Sequence, residues 1–155
     1  MLIYQTGIGA AGTQLAWFDR TGKQTGVLGE PAPYRDVELA PDGKGAIVGI
    51  RDQTRGTFDI WIYEVARGLK TRFTFDPANE ITSLWSPDGS RIVFASNRKG
   101  HTDLYQKASS GASAEEVLLE DNLDKTPASW SPDGRFILYV TSIRTPQTGN
   151  DLLLL

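Results

Sequence analysis

The residues near the N-terminus that look most like a chemical site are Gly7-Ile8-Gly9-Ala10-Ala11-Gly12, a literal G-x-G-x-x-G behind the apolar run Leu2 to Thr6. Such glycines bind a dinucleotide when they open a helix, because the helix N-terminus then holds the pyrophosphate. Here they are followed by Gln14-Leu15-Ala16-Trp17-Phe18-Asp19, which reads as a strand, so a flexible hairpin loop is expected instead. His101 is the only imidazole in the chain. A Ser-His-Asp site would have to use it, and no G-x-S-x-G segment accompanies it. His101 is therefore expected in a solvated loop running from Asn97 to Thr102. The absence of cysteine removes disulfides, thiolate zinc sites and cysteine nucleophiles, and leaves the redox compartment open. Carboxylates are plentiful, as in Glu115-Glu116 and Glu120-Asp121, but a glycosidase needs two of them facing each other across a pocket. No D-x-D-x-D-G loop offers a calcium site. No catalytic residue, metal or cofactor is expected.

The 16 basic and 19 acidic residues give a net charge of −3, without the basic surplus of a nucleic-acid binder. Residues Met1 to Ala16 lack a basic start and an uninterrupted apolar core, and do not read as a signal peptide. No stretch approaches the ~18–20 apolar residues that span a bilayer, so no membrane partner is expected. Leu152 to Leu155 read as a last strand.

A repeat organises these residues. Pro41-Asp42-Gly43, Pro87-Asp88-Gly89 and Pro132-Asp133-Gly134 recur at spacings of 46 and 45 residues. Proline presets φ, and aspartate and glycine accept the tight positions of a turn, so each tripeptide predicts a strand-to-strand turn. Trp85 and Trp130 stand two residues before the second and third copies, with Leu39 in that place in the first. A large apolar side chain at a repeated position predicts packing between units, so Leu39, Trp85 and Trp130 are expected in the inter-unit core. After each tripeptide comes an apolar run, and Asp59-Ile60-Trp61, Asp103-Leu104-Tyr105 and Asp151-Leu152-Leu153 mark a second point of register. Alternating patterns such as Ile60-Trp61-Ile62-Tyr63-Glu64 suit strands, and no segment carries a sustained helical stripe.

Each copy thus holds four strands, A to D, and the chain reads B-C-D, A-B-C-D, A-B-C-D, A-B-C: fourteen strands in one domain. The copies fall at about residues 1–30, 31–76, 77–121 and 122–155. Four-stranded units of ~40–50 residues are the pattern of propeller blades, which bury their faces only against neighbouring blades. The expected fold is all-β: blades of four antiparallel strands forming a partial ring of about 3.5 blades.

The run Leu84-Trp85-Ser86-Pro87-Asp88-Gly89-Ser90-Arg91-Ile92-Val93-Phe94-Ala95-Ser96-Asn97-Arg98, followed by Asp103-Leu104-Tyr105, resembles the TolB-like, WD40-like β-propeller repeat. The likeness covers essentially the whole chain. Gln14 to Lys23 is similar to a blade variant of propellers fused behind bacterial serine/threonine kinases. The resemblance implies a docking platform of the periplasmic TolB kind, and hence a periplasmic or extracellular setting. It also admits the gating domain of a prolyl-oligopeptidase-type enzyme. Known rings of this type close with six to eight blades, so this chain is expected to be part of a longer one or to form a homodimer that completes the circle. The Ser-Pro-Asp-Gly words invite comparison with the aspartate boxes of sialidases. Those want a glycine two residues beyond the aspartate, whereas Gly89 and Gly134 follow it directly, so the turn reading prevails.

Loops on a rigid scaffold carry recognition. A protein partner is therefore expected on the end of the barrel of blades that carries the B–C and D–A loops, with Tyr34, Arg35, Glu80, Arg98, His101, Asp124 and Lys125 as candidate contacts. Replacing Arg35 and Lys125 by alanine is expected to leave folding intact.

Overall fold

A computed structural model describes residues 2–6, 12–142 and 149–155, the first of these as backbone only. Apart from Gly12, the G-x-G-x-x-G segment lies outside the described residues. The chain is all-β, as expected. The described residues form fourteen strands in four antiparallel sheets, in each of which strands adjacent in sequence are adjacent in space. Sheet 1 holds β1 (Leu2–Thr6), β2 (Thr13–Phe18) and β3 (Gln24–Ala32). Sheet 2 holds β4 (Tyr34–Leu39), β5 (Gly45–Arg51), β6 (Phe58–Glu64) and β7 (Leu69–Arg72). Sheet 3 holds β8 (Glu80–Trp85), β9 (Arg91–Ser96), β10 (Asp103–Ala108) and β11 (Glu116–Leu119). Sheet 4 holds β12 (Lys125–Trp130), β13 (Ile137–Thr141) and β14 (Asp151–Leu154). Among the described residues no helix is long and apolar enough to cross a membrane.

The turns explain why the strands fold back where they do. Gly43, Gly89 and Gly134 donate their N–H to the carbonyls of Ala40, Ser86 and Ser131 at 2.8, 2.8 and 2.9 Å. Each has φ near +70°, a conformation glycine takes without the steric cost a Cβ brings. Asp42, Asp88 and Asp133 fold over these turns and accept from the backbone N–H of Lys44, Ser90 and Arg135. At the other end, the N–H groups of Arg51, Asn97 and Ser142 donate to the carbonyls of Pro33, Asn79 and Asp124. One link thus ties the end of each B strand to the start of its A strand.

Between the sheets lie the cores. Ile47 and Ile60 of sheet 2, with Phe73 just beyond β7, meet Trp85, Ile92, Phe94 and Tyr105 of sheet 3. Phe94 stacks on Tyr105 at 6.0 Å between centroids and meets Phe73 edge-on at 6.5 Å. Leu15 and Leu28 of sheet 1 face Ala46, Val48 and Tyr63 of sheet 2, with Leu39 packed partly buried against them. Between sheets 3 and 4 the buried cluster shrinks to Ala95, Leu104 and Tyr139. β5 and β9 are buried almost continuously because both their faces are covered, whereas β13 alternates and β14 leaves Leu152 and Leu154 exposed.

Trp130 departs from expectation. Trp85 is buried, its ring lying over Gly45 so closely that a Cβ there would stand 3.4 Å from Cζ2. Counting along the turns, Arg91 occupies in sheet 3 the place of Gly45 in sheet 2. Trp130 therefore has no glycine to settle on. It stays half-buried, its Nε1 donating to the Gly134 carbonyl of its own turn at 3.2 Å. Trp85 belongs to the inter-sheet core; Trp130 borders on it.

Candidate functional site

The seven residues expected on the B–C/D–A loop end divide sharply. Lys125 opens β12 with its side chain fully inside. Its Nζ lies 3.0 Å from Asp103 Oδ1 and 2.6 Å from Asp121 Oδ1, and it also donates to the Leu123 carbonyl. Burial works to lower the pKa of this ammonium, but hydrogen bonds and charge from Asp121 and Asp103 outweigh it, and the net shift is upward. The ammonium staples sheet 4 to sheet 3. Glu80, at the equivalent start of β8, is also fully buried. Burial raises its pKa to about 7, against the pull of Arg98, whose Nη2 lies 3.3 Å away. Tyr34, which begins β4, is buried between sheets 1 and 2. It donates to the Glu30 carbonyl at 2.7 Å and meets the Tyr63 hydroxyl at 2.7 Å. Burial first, then that hydroxyl, pushes its phenol well above the usual range.

These three positions are corrections to the expected docking face. Each is polar and begins an innermost strand, a pattern that reads as loop-facing. Each instead points between sheets, where it satisfies a neighbour. Arg98 is nearly as enclosed. It bridges Glu80, Glu115 at 2.6 Å and Asp76 at 3.8 Å, and lies 4.3 Å over the Tyr105 ring. Arg35, His101 and Asp124 remain exposed, with side chains 45%, 55% and 53% accessible. His101 Nδ1 lies 3.8 Å from Asp124, and a cavity of about 470 Å3 opens beside it, bordered by Lys99, Glu120 and Asn122.

Two carboxylates that matter structurally were visible in the sequence only as register marks. Asp59 and Asp103, at the start of the C strands β6 and β10, are buried. Asp59 receives Arg55 and Arg72, each at 2.8 Å, and Asp103 receives Lys125. The residue before each following A strand caps the same corner. The N–H of Phe58 donates to Asn79 Oδ1, and the N–H of Thr102 to Asp124 Oδ1. The signal was available: an aspartate recurring in register opposite a D–A loop is a candidate anchor for that loop. Among the described residues no group of three or more His, Asp or Glu side chains is placed to hold a metal.

Comparison with known proteins fits this geometry. The family model described as the TolB beta propeller domain, PD40, matches residues 20–149. The chain belongs to that family. Among curated relatives of this TolB-type propeller, an uncharacterized peptidase, YuxL of Bacillus subtilis, is 31% identical over 122 residues, covering 75% of this chain and 18% of the relative. An uncharacterized protein of Agrobacterium fabrum is 32% identical over 107 residues, covering 66% and 34%. The chain thus spans about a third or less of the length of these relatives. Among solved structures, a putative TolB from Agrobacterium tumefaciens superposes with a TM-score of 0.83 at 20% identity, over 99% of this chain and 56% of that one. TolB from Acinetobacter baumannii gives 0.79 at 20% identity, over 98% and 37%. A prolyl endopeptidase structure gives 0.67 at 15% identity, over 93% and 24%. At those identities the likeness is one of fold.

Proposed function

We propose that this TolB-type propeller works as a non-catalytic docking module that receives a protein partner on its B–C/D–A loop end. The observation that carries the reading is the division found there. Buried Lys125, Glu80 and Tyr34 lock the loops to the sheets, while Arg35, His101 and Asp124 stand exposed on that locked frame. A surface held in place before contact loses little conformational entropy on binding. The His101 imidazole makes no hydrogen bond to a hydroxyl among the described residues, which also favours docking over acyl transfer.

The test is site-specific photo-crosslinking. A photoreactive residue at His101 should capture one defined partner in cells, and the same residue at the exposed rim position Val27 should not. Equal capture at both positions would remove the reading. The Bacillus relative favours a second one, a propeller that gates a peptidase. Labelling of the full-length gene product by a serine-reactive fluorophosphonate would support it. Exposed Leu152 and Leu154 on β14 support pairing of two copies into a ring, and a monomeric mass by light scattering would reject that.

A further inference from the structure

At the opposite end of the molecule, the inner strands β4, β8 and β12 enclose a cup of about 320 Å3 beside the Pro-Asp-Gly turns. Its walls include Leu84, Trp85, Pro87 and Trp130, and its one carboxylate is Glu38. Glu38 Oε2 accepts from the backbone N–H of Trp85 at 3.2 Å, across 47 residues of sequence. That bond fixes the carboxylate without neutralising it, and no lysine, arginine or histidine among the described residues pairs with it. By contrast, the fully buried carboxylates Asp59, Asp103 and Glu80 each hold a cation, whereas half-buried Glu38 holds none among the described residues. A carboxylate withdrawn from water gains most from a counter-charge, and a half-buried indole in the same cup offers a second attraction for one.

We propose that this cup is a cation site, taking the ammonium of a lysine side chain on a partner peptide between the Glu38 carboxylate and the Trp130 indole. The volume suits one side chain rather than a cofactor. The site stands at the other end of the propeller from the docking face and does not depend on it. Where Gly45 lets Trp85 settle into the core, Arg91 stands at the position that matches it for Trp130, and Trp130 is half-exposed at the cup.

The site also depends on pH. Burial raises the Glu38 pKa to about 7; the Trp85 N–H opposes that shift, and the Asp36 carboxylate two residues away on the same strand adds to it. Asp36 is held by the N–H groups of Gly49 and Thr82 and lies 3.9 Å from Arg35. β5 sets Ile47 opposite Glu38, and β8 and β12 contribute only uncharged side chains to the cup. Above pH 7 the carboxylate is ionised and holds the cation; below it the carboxylate is neutral and releases it.

The test is titration of the intact chain with acetyl-Gly-Lys-Gly-amide, followed by the NMR shift of the Trp130 indole N–H. The norleucine peptide, which keeps the stem and loses the charge, is the comparison. The lysine peptide should shift the Trp130 signal, the norleucine peptide should not, and affinity should rise between pH 6 and pH 8. Glu38→Gln keeps an acceptor for Trp85 N–H and should weaken binding by at least about tenfold, the scale of one hydrogen bond to a charged group. If that variant does not fold, as judged by its urea transition, Trp130→Leu, followed through the indole N–H of Trp85 in the same cup, serves in its place and should weaken binding about threefold or more. Equal affinity for the two peptides, a flat pH dependence, or unchanged affinity in the folded variant would overturn the proposal.

Discussion

Replacing Lys125 by methionine keeps the aliphatic stem and removes the charge that joins sheet 4 to sheet 3. The cost follows from who is left behind. Asp121 is 48% exposed, so water compensates most of its loss. Asp103 is 2% exposed and, among the described residues, keeps only the N–H of Asp121, at 3.3 Å, to offset its charge. An uncompensated buried charge of this kind costs ~3–5 kcal/mol. With a urea m-value of about 2 kcal/mol/M for a domain of this size, the midpoint should fall by roughly 1.5 M or more. Intrinsic tryptophan fluorescence across a urea series measures it directly. The double variant Lys125→Met with Asp103→Asn should recover part of the loss, because no buried charge then lacks a partner. A single-variant loss below about 1 kcal/mol, the range of an exposed pair, would refute the reasoning. Recovery is the sharper readout, since a defect in packing alone would not be repaired by changing Asp103.

Gly45→Arg should displace the Trp85 ring from its seat, costing ~1–3 kcal/mol by overpacking and shifting tryptophan emission to the red. The converse, Arg91→Gly, should let Trp130 settle and shift emission to the blue. Gly29→Ala should be poorly tolerated: φ is +65° and the new Cβ would stand 2.3 Å from the Tyr63 hydroxyl, with a loss of ~2 kcal/mol or more by thermal melting. Acid should weaken the turns. Hydrogen bonds from Ser86 and Ser90 hold Asp88 at about 2, below its ordinary 3.8. Its contribution is therefore present above pH 4 and lost as pH falls toward 2, a loss that Asp88→Asn should remove from the acid-unfolding curve.

The architecture was legible because it rests on local chemistry repeated in register. Pro-Asp-Gly turns, alternating strands and the period of about 45 residues each report on neighbours close in sequence, and those neighbours were read correctly as strands and turns. What a side chain does between sheets depends on a residue some 45 positions away, which no local pattern reveals. Lys125, Glu80 and Tyr34 stand next to loops in the sequence, which places them on a recognition surface, and only the neighbouring sheet shows that they are buried. The repeat alone sets Trp130 in the core beside Trp85; the difference lies at the matching position of the neighbouring sheet, Gly45 for Trp85 and Arg91 for Trp130. Repetition predicts shared geometry; the partner across the seam decides whether the geometry is filled.

The seams are unequal, and that has a consequence for how the molecule comes apart. Where sheets 2 and 3 meet, a dense aromatic cluster resists opening, while sheet 4 meets sheet 3 through Tyr139 and a smaller aliphatic cluster of Ala95 and Leu104, flanked by partly buried Ile81, Leu118 and Leu119, and through the Lys125 staple. Amide protons in β13 should therefore exchange with deuterium sooner than those in β9, and protease nicking should begin beyond Asp124. The protein should unravel from that flank as one cooperative segment, leaving a folded remnant of the earlier sheets behind.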